Sequence, residues 1–318
     1  LFWVDREAYV AERASWENES VEEEHREAKN LLQKPGINGI FQDLVDAVRR
    51  HRIVPFVGAG LSKPMDLPTW REALDDLREK LLPKDVKLKA QIAAGQYLEA
   101  AETLVNQDPT AVNAYIRSRF KVLVLKGPID QLPKLATGCV VTTNFDAAIE
   151  EAYKLLGLQF EGYMHGTQSH NFMGRLARGD RCILKLHGDA TDDPTSFVFT
   201  KKQYAKAYGK SFNFKKPLAK ALRQIYISNT LLFLGCSLEQ DMTLDLFKHV
   251  KNQSDYEIPV HFAILPEQDD PQETQKKESR LLGLNIYPIW YPGGHHECVE
   301  KLVRLVIAVA ENRTSLGR

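Results

Sequence analysis

The sequence predicts an α/β protein: a Rossmann-like, doubly wound, mostly parallel sheet with a helical insertion and N-terminal helices. Two observations carry that expectation. Short apolar runs recur along the chain, and stretches of helical periodicity separate them, the pattern of a parallel sheet covered on both faces. Several of the runs also end in Gly, Asn or His, where the strands of such a sheet deliver ligand-binding loops.

Taken in order, Asp5–Lys34 is highly charged, with the acidic run Glu22-Glu23-Glu24, and reads as one or two solvated helices. Pro35 and Gly36 punctuate the chain. Phe41, Leu44, Val45 and Val48 then mark one face of a helix ending near Arg50. Ile53–Val57 is a short apolar run closed by glycines, a buried first strand. Thr69–Leu135 is mainly helical, broken at Pro83 and Pro109, and is too long for a single crossover. Later strand candidates are Cys139–Thr143, Cys182–Leu186, Leu231–Leu234, Val260–Leu265 and Asn285–Trp290. Helical patterns occupy Ala147–Leu156, Pro217–Ile227, Met242–Val250, Gln272–Leu281 and Glu297–Ala310. The expected division is an N-terminal helical segment over 1–50 and one domain over 51–318, with its insertion at about 70–135.

Bulk properties narrow the class. The 318 residues, 43% of them apolar, suffice for a core of ordinary size. Lys and Arg number 42 and Asp and Glu 42, so there is no basic excess of the kind that marks a dedicated nucleic-acid binder. Cys139, Cys182, Cys236 and Cys298 are too far apart for a structural zinc site, and suit a reducing cytoplasm. No apolar run approaches the roughly 20 residues of a bilayer span, and no signal-peptide pattern opens the chain. Leu1 in place of an initiator Met suggests that residues precede it in a longer protein.

Four motifs each follow a predicted strand. Gly58-Ala59-Gly60-Leu61-Ser62 offers a tight turn and close approach of backbone amides to a diphosphate, with Ser62 placed to cap or to contact phosphate. It lacks the third glycine of the usual dinucleotide fingerprint. In Thr142-Thr143-Asn144-Phe145-Asp146, Asp146 suits a helix cap, which leaves Asn144 with both donor and acceptor at the strand end. In Leu186-His187-Gly188-Asp189 the histidine closes a strand before a glycine, a setting that favours exposure in the crevice and general-base chemistry. Gly235-Cys236-Ser237-Leu238 fits an ordinary strand-to-helix turn as well as a ligand contact, with Asp241 as the acid opening the next helix.

Together and in this order, the motifs resemble the sirtuin superfamily, and specifically the bacterial sirtuin-like NAD hydrolases of anti-phage defence, from about Ile53 to the helix near Ala310. The resemblance implies that Gly58, Ala59, Gly60 and Ser62 hold the phosphates of NAD+. It puts Asn144 and His187 at the nicotinamide ribose as catalytic residues, and Thr143 and Asp146 beside them. Gly235, Cys236 and Ser237 fall near the adenosine half. The paired cysteines of the deacetylase zinc module are missing. The usual cofactor loop is replaced by Lys63-Pro64-Met65-Asp66-Leu67-Pro68-Thr69-Trp70, and Thr-Gln-Asn becomes Thr-Thr-Asn. These departures argue for hydrolysis of NAD+ over deacylation. His295 and His296 read as a helix entry or an edge of the adenine pocket, and no metal is expected.

On this reading NAD+ is the substrate, yielding nicotinamide and ADP-ribose. Asn144 positions the ribose or the water, and His187 takes a proton from the water or from a ribose hydroxyl. A regulatory module that binds NAD or ADP-ribose without turnover is the alternative. Effectors of the family work with a sensor, so a homo-oligomer or a partner (a translocase-type ATPase or an Argonaute-type protein) is expected. Direct contact with nucleic acid or membrane is not.

Overall fold

The computed structural model describes Ala8, Glu23 and residues 25–34, 36–209, 211–239, 242–253 and 257–316. Pro35, most of Asp5–Glu24, and Asp241 lie outside the described residues. The strands are β1 (Ile53–Val57), β2 (Val140–Thr142), β3 (Gly162–His165), β4 (Gln168–His170), β5 (Cys182–Lys185), β6 (Thr230–Leu234), β7 (His261–Pro266) and β8 (Ile286–Tyr291). They form one sheet in the order β4-β3-β5-β2-β1-β6-β7-β8. Every neighbouring pair is parallel except β3 with β4.

All residues of β1, β2 and β5 are buried, on both faces of the pleat. Continuous apolar runs are the sequence form of that double cover. The cover comes from α1 (Ile37–Arg49) at one end of the chain, and from a series of helices farther along it. These are α2 (Trp70–Leu81), α3 (Val86–Ala93), α4 (Tyr97–Gln107), α5 (Pro109–Arg119), α6 (Leu132–Leu135), α7 (Ala148–Leu155), α8 (Phe172–Arg178), α9 (Lys201–Tyr208), α10 (Pro217–Ser228), α11 (Met242–Gln253), α12 (Pro271–Leu282) and α13 (Glu297–Ala310). Among the described residues none is long and apolar enough to cross a membrane. The doubly wound α/β fold expected from the sequence is the one observed.

Several expectations need correction in detail. The hairpin β3–β4 and the helices α8 and α9 had no strong apolar signal. Pro109 does not interrupt a helix but opens α5, with Asp108 accepting the Ala111 amide at 2.9 Å. Residues 25–31 are helical and not wholly solvated: His25, Ala28 and Leu32 are buried against the main core. The charged residues between them hid this narrow apolar stripe.

The helices α2 to α5 build a small core of their own from Leu74, Leu77, Leu88, Ile92, Leu104, Val112 and Ile116. That core is completed by Phe145, Ala190, Phe197 and Phe199, which follow β2 and β5. The insertion therefore rests on the carboxyl ends of those strands.

The chain leaves β1 for β2 on one side and later returns to β6 on the other. β1 is thus the switch point of the sheet, where a ligand crevice is expected. The turns after β1 and β6 are locked together there. The Gly58 amide donates to the Leu234 carbonyl at 2.8 Å, and the Gly60 amide to the Gly235 carbonyl at 2.9 Å. A Cβ on Gly58 would lie 2.5 Å from the Gly235 oxygen, and one on Gly60 2.8 Å from it. Gly235 itself has a φ of +65°, a conformation that glycine adopts without strain. Gly60→Ala is expected to cost about 1–3 kcal/mol of stability in urea unfolding, through overpacking of this contact. An unchanged midpoint would mean that the two turns separate easily.

Candidate functional site

The loop after β2 carries three side chains joined in series. The Asn144 amide nitrogen donates to the Gly58 carbonyl at 3.3 Å and to Ser62 Oγ at 3.0 Å. Ser62 Oγ in turn donates to Asp146 Oδ2 at 2.9 Å. The other oxygen of Asp146 accepts the Ala148 amide at 3.0 Å, capping the first turn of α7. Asn144, Ser62 and Asp146 are all at least 95% buried, with exposures of 5%, 1% and 3%. One acceptor is left over: Asn144 Oδ1 is buried and has no hydrogen-bond partner. Both amide protons are used by Gly58 and Ser62, and Asn144 is one of the residues lining the cleft.

The cleft encloses about 520 Å³, part of it open to solvent. Its lining includes Ala59 and the polar residues Thr143, Asn144 and Asp146. The remainder is largely aromatic and aliphatic, with Trp70, Tyr115, Phe120, Phe145 and Phe199 among its walls. A mostly apolar recess with a few convergent polar groups is the usual form of a small-molecule site.

A buried lysine ties the loops together. Lys185, the last residue of β5, has no exposed side-chain surface. Its Nζ donates to the Asp146 carbonyl at 2.6 Å, to Glu150 Oε1 at 3.0 Å and to Asp189 Oδ2 at 2.5 Å. Burial alone would lower its pKa, but the carboxylates of Glu150, Asp189 and Asp146 raise it, so the lysine stays charged. Asp189 is likewise held below the usual carboxylate range: Lys185 and Thr191 outweigh the opposing effect of its burial.

His187 is not exposed in the crevice, as its place before Gly188 suggested. It is 4% exposed and stands behind the cleft wall, against Trp70 and Phe145 at ring-centroid distances of 5.1 and 6.0 Å. The Trp70 indole N–H donates to its Nδ1 at 3.3 Å, and its Nε2 lies 2.7 Å from the Tyr204 hydroxyl. Burial pushes its pKa down to about 4, the Thr143 carbonyl pulling weakly the other way. The ring is therefore neutral at physiological pH.

The remaining expected residues fall into two groups. Thr143 lines the cleft and donates its amide to Val57 at 3.2 Å. Gly235 and Cys236 form the turn against Gly58, with Cys236 Sγ 3.4 Å from the Phe56 carbonyl, and Ser237 is exposed beyond them. These three lie on the β6 side and are not part of the aromatic cleft. The amides of Gly58 and Gly60 already serve the β6 turn, and Ser62 serves Asn144 and Asp146. None of the three is a free donor to phosphate in this state. Ala59 alone of the glycine turn lines the cleft. His296 opens α13 and bonds the Tyr291 hydroxyl at 3.0 Å, so the paired histidines do mark a helix entry. Among the described residues no group of three His, Cys, Asp or Glu side chains is arranged to hold a metal ion.

Sequence reasoning missed Lys185, Trp70 and Tyr204. Lys185 was visible as a charge inside an apolar run, which a buried strand does not carry without partners. Trp70 and Tyr204 come from α2 and α9, and nothing local to either marks it.

Comparison with known proteins finds a family resemblance over part of the chain. Residues 138–289 match the family of the SIR2-like domain. That stretch contains three of the four strand-end motifs, those at Thr142–Asp146, Leu186–Asp189 and Gly235–Leu238. Among curated proteins, it is 30% identical over 207 residues to NAD(+) hydrolase ThsA of Acinetobacter baumannii (strain 532279), covering 64% of this chain and 39% of that one. It is 25% identical over 203 residues to Defense-associated sirtuin 2 of Bacillus subtilis, covering 62% and 19%. NAD(+) hydrolase ThsA of Enterococcus faecium is 25% identical over 202 residues, covering 60% and 38%. The chain spans about two fifths or less of the length of these relatives.

Two predictions follow from the geometry. Ser62→Ala strands the Asn144 amide and an Asp146 oxygen, and should cost about 1–3 kcal/mol in urea unfolding. An isoenergetic variant would show that the series is not a support. The second concerns acid. His187 at about 4 and His261 at about 3 are both depressed by burial from an ordinary value near 6.5. Above pH 6.5 both are neutral folded or unfolded, and stability is full. As pH falls below 6.5 the unfolded chain takes up these protons first, and stability drops until the folded values are passed. The slope is about 1.4 kcal/mol per pH unit for each histidine. Urea midpoints measured between pH 7.5 and 4 should fall steeply, and a flat profile would contradict the burial of both rings.

Proposed function

We propose that this chain is the catalytic part of an NAD-depleting effector of bacterial anti-phage defence, which hydrolyses NAD+ to nicotinamide and ADP-ribose. The observation that carries the reading is Asn144 Oδ1, a buried acceptor without a partner, on an amide whose other face is fixed by Gly58 and Ser62. A ribose hydroxyl or the attacking water is the kind of donor this oxygen lacks. The names of the two ThsA relatives support the substrate, and the name of the Bacillus subtilis relative supports the role in defence.

The reaction needs little from the protein beyond position and a proton acceptor. The bond between the nicotinamide nitrogen and ribose C1′ breaks, and its electron pair leaves with nicotinamide, which becomes neutral. Positive charge passes to the ribose, and water oxygen bonds to C1′. In this reading Asn144 orients the ribose or the water, and His187, kept neutral by burial, takes the proton that the water gives up. Thr143 and Asp146 frame the ribose end. Gly58, Ala59, Gly60 and Ser62 lie along the phosphates, with Ala59 making the nearest approach, and Gly235, Cys236 and Ser237 border the adenosine half. The domain division at residue 50, a cytoplasmic setting, and assembly with itself or with a translocase-type or Argonaute-type sensor belong to the same reading.

Asn144→Ala and His187→Ala should each lower NAD+ loss by about 100-fold or more, with cooperative thermal melting retained. Nicotinamide release, followed chromatographically at matched protein concentration, makes the measurement. Near-wild-type release by either variant removes that residue from the chemistry. Tight NAD+ binding with no release from any preparation, including one with its activating partner, would favour the binding module.

A further inference from the structure

The proposed base is not free in this structure. Tryptophan's ring nitrogen can only donate, so the His187 nitrogen it meets must carry a lone pair. That nitrogen is Nδ1. The ring proton of the neutral imidazole therefore resides on Nε2, which faces the Tyr204 hydroxyl. Two neighbours from two different helices meet the two ring nitrogens, and the Thr143 carbonyl attracts the ring's proton as well. The only lone pair able to take a proton is occupied by Trp70.

Trp70 also stands between His187 and the cleft. It lines the cleft, whereas His187 is packed behind it, edge to face with the indole at an interplanar angle of 79°. Phe145 and Phe199 flank the indole at 6.4 and 5.9 Å and seal the apolar side. We infer that Trp70 is a latch on His187: it sets the tautomer that leaves Nδ1 basic, and it must withdraw before that nitrogen can meet water or ribose. This inference rests on the proposed role of His187.

The position of Trp70 makes such withdrawal mechanically simple. It is the first residue of α2, where a helix frays most readily, and it is half-buried. What holds it is the box formed by Thr69 and Glu72, together with Lys63, which donates to Glu72 at 2.7 Å. Lys63 lies in the 3-10 turn that begins at Ala59, so the latch is anchored to the glycine turn itself. The other groups facing His187 offer no competing charge. Lys185 and Asp189 are paired with each other, Tyr115 on the cleft wall bonds Asp76, and Tyr204 presents a hydroxyl 2.7 Å from Nε2. Withdrawal of the indole thus changes the basicity of His187 by one hydrogen bond and by access of water.

The test uses the full chain with Trp70→Phe, which keeps an aromatic ring and deletes the N–H. Nitrogen-15 NMR of the wild-type imidazole should show Nδ1 unprotonated and Nε2 protonated; the opposite tautomer overturns the latch without any variant. In Trp70→Phe the His187 titration should move upward from about 4. NAD+ cleavage at pH 7 should rise several-fold, through kcat more than KM, and the acid limb of its pH profile should shift upward. An unmoved titration overturns the latch, as does a moved titration with slower cleavage in an otherwise active chain. If the titration moves but no preparation cleaves NAD+, including one with its activating partner, the latch on His187 stands and the hydrolase reading falls.

Discussion

The candidate site depends on one buried charge. Lys185 has no contact with solvent, and a lone ammonium in that position would be intolerable. It is accommodated because the chain brings three oxygens to it: the Asp146 carbonyl from the loop after β2, Asp189 from the loop after β5, and Glu150 from α7. Those loops carry Asn144 and His187. Satisfying the lysine therefore sets where both side chains stand. Removing both carboxylates would leave the ammonium uncompensated in the interior, a far larger penalty than an exposed ion pair incurs. In this respect the lysine resembles a bolt through two plates, with its stability cost accepted for the geometry it imposes.

A second constraint acts across the switch point. The turns after β1 and β6 approach so closely that Gly58, Gly60 and Gly235 are needed by each other. This alters the meaning of the glycine motif. In the sequence it suggests amides bared for a diphosphate; in the structure those amides are bonded to Leu234 and Gly235. The motif also holds the Gly58 carbonyl where the Asn144 amide can reach it, and brings Ala59 to the cleft. Asn144 then orients its free oxygen against a rigid frame of backbone, serine and aspartate.

Legibility in the sequence follows from how each feature is encoded. The central strands were readable because burial on both faces demands unbroken apolar runs, as in Ile53–Val57 and Thr230–Leu234. The hairpin β3–β4 was not, because it sits at the sheet edge, is short, and carries Tyr163, His165, Gln168 and His170. Asn144 and His187 were readable as polar residues at strand ends. The burial of His187 was not, since its cover comes from Trp70, over a hundred residues away, and from Tyr204 in a helix with no strong apolar pattern. Nor could the sequence say that Ser62 serves Asp146 rather than a helix end. A side chain that bonds across 84 positions leaves no local trace.

The electrostatic character of the cleft suits the proposed substrate better than its shape alone suggests. The nicotinamide ring of NAD+ enters as a cation. An imidazolium nearby would repel it, and burial keeps His187 neutral down to about pH 4. Lys185 is charged, but the two carboxylates of Glu150 and Asp189 more than offset it. The cleft offers such a ring aromatic neighbours instead, Trp70, Tyr115, Phe120, Phe145 and Phe199, and aromatic faces attract a cation. In the proposed reaction, cleavage turns that cation into a neutral amide while charge appears on the ribose, which the proposal sets beside Asn144. An aromatic wall then holds its ligand less well than before, and an unpartnered carbonyl oxygen gains something to stabilise. The attraction moves with the charge, from the leaving group to the reacting carbon, which is what a site must do to favour the transition state over the substrate.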